Sequence, residues 1–576
     1  MRLLIGLLVV ALVAGFGPSS PGESEGASSP LLATAGPTYD VTVLVTGASI
    51  HGANGMNVGP DGNLYVASAG GQEIVILDPR DGRILDRLGP DAGVKTVDDL
   101  AFGPDGSLYW TDIMQGEVGR RTPHGVVTKQ FVAAGVNPIT FSPDGRLFVG
   151  LCFMGDGLYE LDPDLIAPPR PIIEATPENP YPLGFLNAFA FGPDGRLYGP
   201  VFAAGLVVSV DVGSPGDPPS ADPWGDGTIE VVAAGFTDPV AVKFDAQDRL
   251  HLLDQSGEVF VVDWKTGEAT LLAQLEPGLD NLAFDAEGRL FISSADHGWI
   301  VELLPDGDTR VLSPGGMIMP QGVAVLPGLD GSESVFVADL WRLRVFDGST
   351  GADVGIYKGH LVPSADPPSL TSLMSVSADG EHLVVSSYFG GAVQVWDPHT
   401  DRVLEHYPMP VAIDAIRLGD DLVATDLGLG GAVWVSDGAM VLPIDGESVF
   451  LPAGLATDGE RLWVGDWATG VVWQVGFDGR AALAPAPIAS GLTNPEGLAL
   501  DRDGGLLMVE STAGRLSRID LATGAVSLVA DGLATGVPAA EGFLPTYMFD
   551  GVAVGPSGAI YVTGSAANVL YRIDRR

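Results

Sequence analysis

The chain has 576 residues, with 79 Gly, 44 Pro and 46% hydrophobic residues, which indicates a large, turn-rich globular protein and excludes a disordered one. Its formal net charge of −44 excludes a nucleic-acid partner, because phosphate contacts need clustered Lys and Arg. Cys152 is the single cysteine. The sequence therefore excludes an intramolecular disulfide and a multi-cysteine zinc site, and we predict a buried, inert thiol.

The N-terminus has the order of a secretory signal peptide. Arg2 precedes an apolar run over residues 3–16, and small and polar residues follow. The run is too short for a stable membrane span. We predict a signal peptide at residues 1–18, a flexible linker at residues 19–38, and a secreted or periplasmic location.

A short phrase recurs through the rest of the chain. It stands as NGMNVGPDGNLYVAS from Asn54, and returns as NAFAFGPDGRLYGP from Asn187 and DNLAFDAEGRLFISS from Asp280. Each copy places a turn such as Pro-Asp-Gly between two alternating apolar runs, which predicts a β-hairpin. About twelve copies recur with a period of roughly 40 residues, the length of a four-stranded propeller blade. The predicted fold class is all-β, a β-propeller.

The twelve copies can close as one ring or as two rings of six. A single ring would have a wide, poorly filled channel, and chains of this size split into domains. We therefore predict two tandem six-bladed propellers, at residues 39–306 and 307–576. A strand from elsewhere in the chain is expected to close each ring. Tyr39–Thr46 is predicted to complete the blade that starts at Asp280, and Thr309–Leu312 the blade of the final residues.

Asn or Asp stands just before the first strand of all six copies in the first ring, where a propeller strand leads into the central channel. These residues are Asn54, Asp98 or Asp99, Asn137, Asn187, Asp238, and Asp280 with Asn281. Carboxylate and amide oxygens without a Cys or His majority are the ligands of a hard divalent cation such as Ca²⁺. The alternative is that Asn and Asp serve as turn residues in every copy.

The copies resemble NHL-type repeats, and more particularly the senescence marker protein and gluconolactonase family of six-bladed propellers. The phrases NGMNVGPDGNLYVAS and PEGLALDRDGGLLMVES carry the resemblance. It implies a divalent cation held by a Glu, two Asn and an Asp, and hydrolysis of sugar or other lactones. Asn54 stands where the family has its Glu in the first ring. The metal ligands predicted from residues and resemblance together are Asn54, Asn137, Asn187, Asp238, Asp280, Glu496 and Asp550.

Three functions are consistent with these observations. In a lactone hydrolase, the cation would polarise the lactone carbonyl, and Asp280 or Asp238 would hold or deprotonate the attacking water. In an enzyme similar to the streptogramin lyases, His51 and His297 would supply the acid and the base of an elimination. In a non-enzymatic scaffold, the ring faces would bind a protein or glycan partner. The first function implies a lactone or sugar-like small molecule as substrate.

Overall fold

The computed structural model describes residues 34–35, 38–328, 332–360, 364–541, 543–546 and 548–576. The predicted signal peptide and nearly all of the predicted linker lie outside these residues. The described chain is all-β, as predicted, and its helices are short 3-10 turns at Pro90–Ala92, Phe202–Ala204, Ser511–Ala513 and Ser565–Ala567. In this part of the chain, no helix is long and apolar enough to cross a membrane.

The first compact unit, Ala48–Ile318 with Ala540 and Glu541, is called the first ring here. Its described residues form six antiparallel sheets of four strands, paired in chain order. The innermost strands contact one another in sequence, and the sixth contacts the first, so the ring is closed. In order, the strands are Met56–Val58, Leu64–Ser68, Glu73–Leu77 and Ile84–Leu88; Val97–Phe102, Leu108–Asp112, Glu117–Arg121 and Val127–Phe131; Val136–Phe141, Leu147–Leu151, Gly157–Leu161 and Arg170–Glu174; Ala190–Phe191, Leu197–Val201, Leu206–Val210 and Ile229–Ala234; Pro239–Phe244, Leu250–Asp254, Glu258–Val262 and Ala269–Gln274; Leu279–Phe284, Leu290–Ser294, Ile300–Leu303 and Thr309–Ser313.

The second compact unit, called the second ring here, contains Met319–Ala539, the described residues from Phe543 to Arg576 and the described residues up to Gly47. Its described residues also form six sheets whose innermost strands close a ring. In order, the strands are Val323–Pro327, Glu333–Asp339, Arg342–Asp347 and Asp353–Lys358; Ser375–Asp379, His382–Ser387, Ala392–Asp397 and Arg402–Pro408; Ala412–Leu418, Asp421–Asp426, Gly431–Trp434 and Met440–Pro443; Pro452–Thr457, Leu462–Asp466, Val471–Val475 and Ala486–Ala489, with the hairpin Phe477–Asp478 and Ala481–Ala482; Pro495–Leu500, Leu506–Glu510, Arg515–Ile519 and Val526–Asp531, with Thr34–Ala35 beside the last; Val552–Val554, Ile560–Gly564, Val569–Arg575 and Tyr39–Thr46.

The strand exchange predicted from the sequence is wrong. Tyr39–Thr46 pairs with Val569–Arg575 and completes the sheet at the end of the chain. Thr309–Ser313 pairs with Ile300–Leu303 of its own sheet, so the unit boundary follows Ile318 and not residue 306. A short turn, in which the Gly307 N–H donates to Leu304 O at 3.0 Å, returns that strand directly to its neighbour. Closing so short a loop costs less entropy than recruiting a distant strand.

The recurring turns form the predicted hairpins. In the first of them, Gly62 has φ 79° and its N–H donates to Gly59 O at 2.9 Å. Asp61 Oδ1 accepts the N–H of Asn63 at 3.1 Å. Only glycine adopts such a φ without steric cost, and Asp stabilises the turn through its own carboxylate.

A contact between aromatic rings joins neighbouring sheets of the first ring. The second residue of the second strand packs against the Phe that ends the innermost strand of the next sheet, with centroids 4.9 to 5.2 Å apart. The pairs are Tyr65–Phe102, Tyr109–Phe141, Phe148–Phe191, Tyr198–Phe244 and His251–Phe284. Where the sixth sheet meets the first, Phe291 and Val58 occupy these positions and share an apolar cluster. Such pairs contribute about 0.5–1.5 kcal/mol each beyond the area they bury.

Part of the chain's acidity has a structural role. The acidic residue that ends a second strand accepts N–H groups from the segment leading to the innermost strand. The backbone N–H of Lys95 donates to Asp112 Oδ1 at 2.8 Å, and that of Thr237 donates to Asp254 Oδ2 at 2.9 Å. The second ring repeats the arrangement at Asp339, Asp426, Asp466 and Glu510. These carboxylates satisfy backbone donors that would otherwise be buried without a partner.

The boundary leads to a test on isolated fragments. We expect Ala48–Ile318, expressed alone, to fold and to unfold in one thermal transition, because it holds every strand of its six sheets. A fragment of residues 39–306 should melt at a lower temperature, because its last sheet lacks Thr309–Ser313. Circular dichroism melts of the two fragments measure the difference. Equal stability of the two, or a folded 39–306 with an unfolded 48–318, would contradict the observed pairing.

Candidate functional site

β-Bulges shape the starts of several innermost strands in the first ring. Between Val97 and Leu100 the strand gains one residue over its partner, and the same shift occurs between Val136 and Ile139 and between Leu279 and Leu282. The residues inside these bulges are Asp98, Asp99, Asn137, Pro138, Asp280 and Asn281. A bulge turns consecutive side chains away from strict alternation. Two neighbouring polar residues can thereby face the same side.

These bulges surround one small cavity of the first ring. Its lining residues are Asp98, Asp99, Asn137, Pro138, Asn187, Ala188, Asp280 and Asn281. Asp99 and Asn281 are buried, whereas Asp98 and Asp280 keep part of their surface accessible. Asp99 and Asn281 therefore form the buried part of the cavity lining, and the carboxylates of Asp98 and Asp280 lie nearer to solvent.

Hydrogen bonds connect neighbouring members of this cavity. Asn281 Nδ2 donates to Asp99 Oδ1 at 3.5 Å, and Asn137 Nδ2 donates to Asn187 Oδ1 at 3.3 Å. Asp99 Oδ2 also accepts the backbone N–H of Ile139 at 3.1 Å. Asp99 is thus held by two of the other sheets, which suits a positioning role.

Burial disfavours the charged forms of all three carboxyl groups, and neighbouring carboxylates add to this at Asp98 and Asp280. Burial, and then the charge of Asp99, raises the pKa of Asp98 to about 7. Burial and the charges of Asp98 and Asp99 raise the pKa of Asp280 well above its ordinary value. Burial also raises the pKa of Asp99, although the charge of Lys243 opposes this. The cluster gains stability from a proton or from a bound positive charge.

The donor set of the cavity fits a hard cation. Asn137 is 3% exposed, and its Oδ1 is buried without a hydrogen-bond partner. A buried carbonyl oxygen with no donor is an exception in folded proteins, and a cation would satisfy it. No three His, Cys, Asp or Glu side chains within the described ranges have the spacing of a metal site. A cation here would therefore need amide oxygens together with carboxylates.

Several predicted residues lie outside the cavity lining. Asn54 adjoins it, since its Nδ2 donates to Asp98 Oδ1 at 3.2 Å. Asp238 is half-buried, and its N–H donates to Asp254 at 3.0 Å. The backbone oxygen of His51 accepts a hydrogen bond from the Ser68 hydroxyl. His297 Nε2 lies 3.5 Å from Glu276 Oε1. The structure thus brings Asn137, Asn187 and Asp280 together but not Asp238, His51 or His297 with them.

Glu496 and Asp550 meet in the second ring, as neighbours in a buried cluster. The Asp550 N–H donates to Glu496 Oε2 at 2.8 Å, and Trp467 Nε1 donates to Glu496 Oε1 at 3.1 Å. Burial, and then the charge of Asp550, raises the pKa of Glu496 well above its usual range. Trp467 also packs against an apolar cluster that includes Leu544 and Phe549. These two carboxyls therefore have less access to solutes than Asp98 and Asp280.

Hydroxyl side chains that sequence reasoning missed support the bulges. The Asp99 N–H donates to Thr111 Oγ1 at 3.0 Å, and the Asn281 N–H donates to Ser293 Oγ at 3.1 Å. Ser293 Oγ donates in turn to Asn54 O at 2.8 Å. The signal in the sequence is the Ser or Thr at the fourth position of the second strand. It recurs as LYWTD and LFISS.

The raised carboxyl pKa values lead to a prediction about stability and pH. The pKa of Asp98 is about 7 in the folded chain against 3.8 ordinarily, so the folded state binds more protons between these values. In the presence of a chelator, the free energy of unfolding should fall as pH rises from 5 to 8. Asp98→Asn should reduce this fall, because it removes one titrating group and a charge beside Asp280.

Urea unfolding of the full chain at both pH values measures the effect. Asp91→Asn is the matched control, because Asp91 is exposed on the same ring and should leave the fall unchanged. An unaltered pH dependence in Asp98→Asn would show that the cavity carboxyls do not titrate as described.

Comparison with known proteins gives a partial sequence match. No protein-family model matches the chain. Among curated proteins, the gluconolactonase of Zymomonas mobilis subsp. mobilis is 33% identical over 104 residues, a match that covers 17% of this chain and 26% of that protein. The chain thus spans about a quarter of the length of this curated relative.

Solved structures similar to the chain include a streptogramin B lyase and a proposed gluconolactonase, each 16% identical, with TM-scores of 0.36 and 0.35. They cover 52% and 49% of this chain, and 95% of each of those chains. The extracellular domain of a proposed one component system from B. thetaiotaomicron is 12% identical, with a TM-score of 0.31, over 94% of this chain and 83% of that one. The gluconolactonase match is a similarity over 104 residues, and the propeller fold rests on the closed rings of four-stranded sheets described above.

Proposed function

We propose that the first ring is a lactone hydrolase that uses a divalent cation such as Ca²⁺. The observation that carries the proposal is the convergence of three carboxyl groups and three amide side chains on one cavity. An oxygen-only donor set of this kind suits Ca²⁺ better than a transition metal. The partial match to a gluconolactonase agrees with this chemistry.

The cavity residues divide into two roles. Asn137, Asn187, Asp98 and Asp280 would hold the cation through their side-chain oxygens. Asp99 is fixed by Ile139 and Asn281 and would position the others. A bound divalent cation supplies Lewis acidity, which polarises the lactone carbonyl and stabilises the charge that develops on its oxygen.

The partly accessible carboxylates move the proton. Asp280, or Asp98 beside it, accepts a proton from the attacking water as the water oxygen bonds to the carbonyl carbon. The bond between that carbon and the ring oxygen then breaks, and the same carboxyl returns the proton to the departing oxygen. One lactone and one water thus yield one hydroxy acid.

The second ring is proposed to have no part in this reaction. Glu496 and Asp550 are almost completely buried, with 1% and 0% of their surface exposed. Their oxygens accept hydrogen bonds from the backbone and from Trp467. We also propose export of the protein, which rests on the order of charged, apolar and small residues at the N-terminus.

Calorimetric titration of Ca²⁺ into the full chain after chelation tests the metal site. We expect Asn187→Ala and Asp280→Asn to weaken binding by about tenfold or more each, since losing one ligand removes at least about 1.4 kcal/mol. Glu496→Gln is the matched control in the other ring and should bind as the wild type does. Loss of binding in Glu496→Gln alone would move the site to the second ring.

Hydrolysis of δ-valerolactone and glucono-δ-lactone, followed by acid release, tests the activity. We expect turnover that requires Ca²⁺ and falls in Asp280→Asn but not in Glu496→Gln. Stoichiometric Ca²⁺ binding without turnover of any lactone would contradict the hydrolase and leave the metal site standing.

A further inference from the structure

Four aromatic rings that the proposed reaction does not use lie close together on the first ring. We call Phe153, Tyr181, Phe185 and Phe202 the aromatic wall. Phe153 lies 6.3 Å from Phe185, with 20° between the ring planes, and 6.3 Å from Phe202. Tyr181 lies 5.3 Å from Phe185. Phe153 and Tyr181 are 41% and 51% exposed, so the wall presents apolar surface to solvent.

The wall borders the polar cavity through its Phe185 and Phe202 members. Phe185 stands two residues before Asn187, which lines the cavity. Phe202 packs against the apolar cluster that contains Ala188, another lining residue. A ligand in the cavity would therefore have the wall beside it.

Phe153 is connected to the cavity through the preceding residue. Cys152 is buried, and the charges of Asp98 and Asp280 add to burial in raising the pKa of its thiol well above the ordinary value. The backbone places Phe153 near the cavity, because the Cys152 N–H donates to Gly135 O at 2.7 Å and Leu151 pairs with Val136, the residue before Asn137.

The loop that carries two of the rings is built to hold them. The buried Asp156 carboxylate accepts N–H groups of this loop, from Leu183 at 2.7 Å, Gly184 at 2.8 Å and Phe185 at 3.3 Å. Trp224 Nε1 donates to Pro182 O at 2.7 Å. Phe185 is therefore fixed by hydrogen bonds to its backbone and not only by packing.

The backbone at the wall is strained. Phe153 has φ +63° and Phe185 has φ +66°, a region that bulky side chains rarely adopt. Such strain persists only where the surroundings enforce it, and it concentrates at ligand-binding sites. Here it brings two rings face to face beside the cavity.

We propose that the aromatic wall is the subsite for an apolar ring or chain attached to the lactone, so that the substrates are aryl- or alkyl-substituted lactones. The inference rests on the proposed function for the position of the lactone carbonyl. Three of the four rings are Phe, which has no group to hydrogen-bond a hydroxyl, whereas sites for polar ligands favour Tyr and Trp. The Phe faces offer a sugar lactone no hydrogen bond, whereas an apolar substituent gains from leaving water on them.

The test compares two lactones that differ in one aromatic ring, dihydrocoumarin and δ-valerolactone. In Phe153→Ala and in Tyr181→Ala, kcat/KM for dihydrocoumarin should fall by about tenfold, as expected when roughly 60 Å² of apolar contact is lost. The value for δ-valerolactone should stay unchanged. Phe131→Ala is the matched control, since Phe131 is 66% exposed on an outer strand of the same ring. Equal effects on both lactones would overturn the subsite.

A binding measurement separates failure of the subsite from failure of the hydrolase. The lactam analogue of dihydrocoumarin should bind the wild type and Phe131→Ala equally by calorimetry, and Tyr181→Ala about tenfold more weakly. This pattern without lactone turnover supports the wall and contradicts only the hydrolase. No binding to the wild type, or binding indifferent to Tyr181→Ala and Phe153→Ala, overturns the wall. Tyr181 lies in a loop and is half exposed, so its variant keeps the test valid if Phe153→Ala destabilises the fold.

Discussion

The aromatic contact between neighbouring sheets is the interaction on which the first ring depends. It joins the second residue of one second strand to the last residue of the next innermost strand, five times with nearly the same distance. Because each partner adjoins the tight turn of its own sheet, the contact fixes each sheet relative to the next. The opposite ends of the innermost strands then converge, and those ends carry the polar residues of the cavity.

Bulges convert this regular framework into a site. Strict alternation would send Asp98 and Asp99 to opposite faces of the strand, whereas the extra residue lets both line the cavity. The cost is electrostatic, since carboxyl groups are brought together with raised pKa values. The buried, unpartnered oxygen of Asn137 is a further cost. Proteins accept such local violations chiefly where function requires them.

The sequence predicted the fold well because the repeat encodes it locally. The Pro-Asp-Gly turns and alternating strands specify each hairpin without reference to the rest of the chain. Ring closure was less predictable, because the fourth strands resemble one another and Tyr39–Thr46 could pair with several third strands. Among the residues singled out from the sequence, Asn137, Asn187 and Asp280 line the cavity and Asp238 does not. Which of these residues face the cavity was not predictable, because single-residue bulges, which decide the direction of a side chain, leave no periodic trace in the sequence.

The two rings share one blade design but differ in what stands over the polar residues. Glu496 lies in a bulge like those of the first ring, yet its oxygens accept hydrogen bonds from Trp467 and Asp550. Phe549, directly before Asp550, joins an apolar cluster with Leu544. In the first ring Asp98 and Asp280 lie in similar bulges, and their side chains stay partly accessible. The blade therefore supplies a place for polar groups, and the loops decide whether that place becomes a buried structural cluster or a site that a ligand can reach.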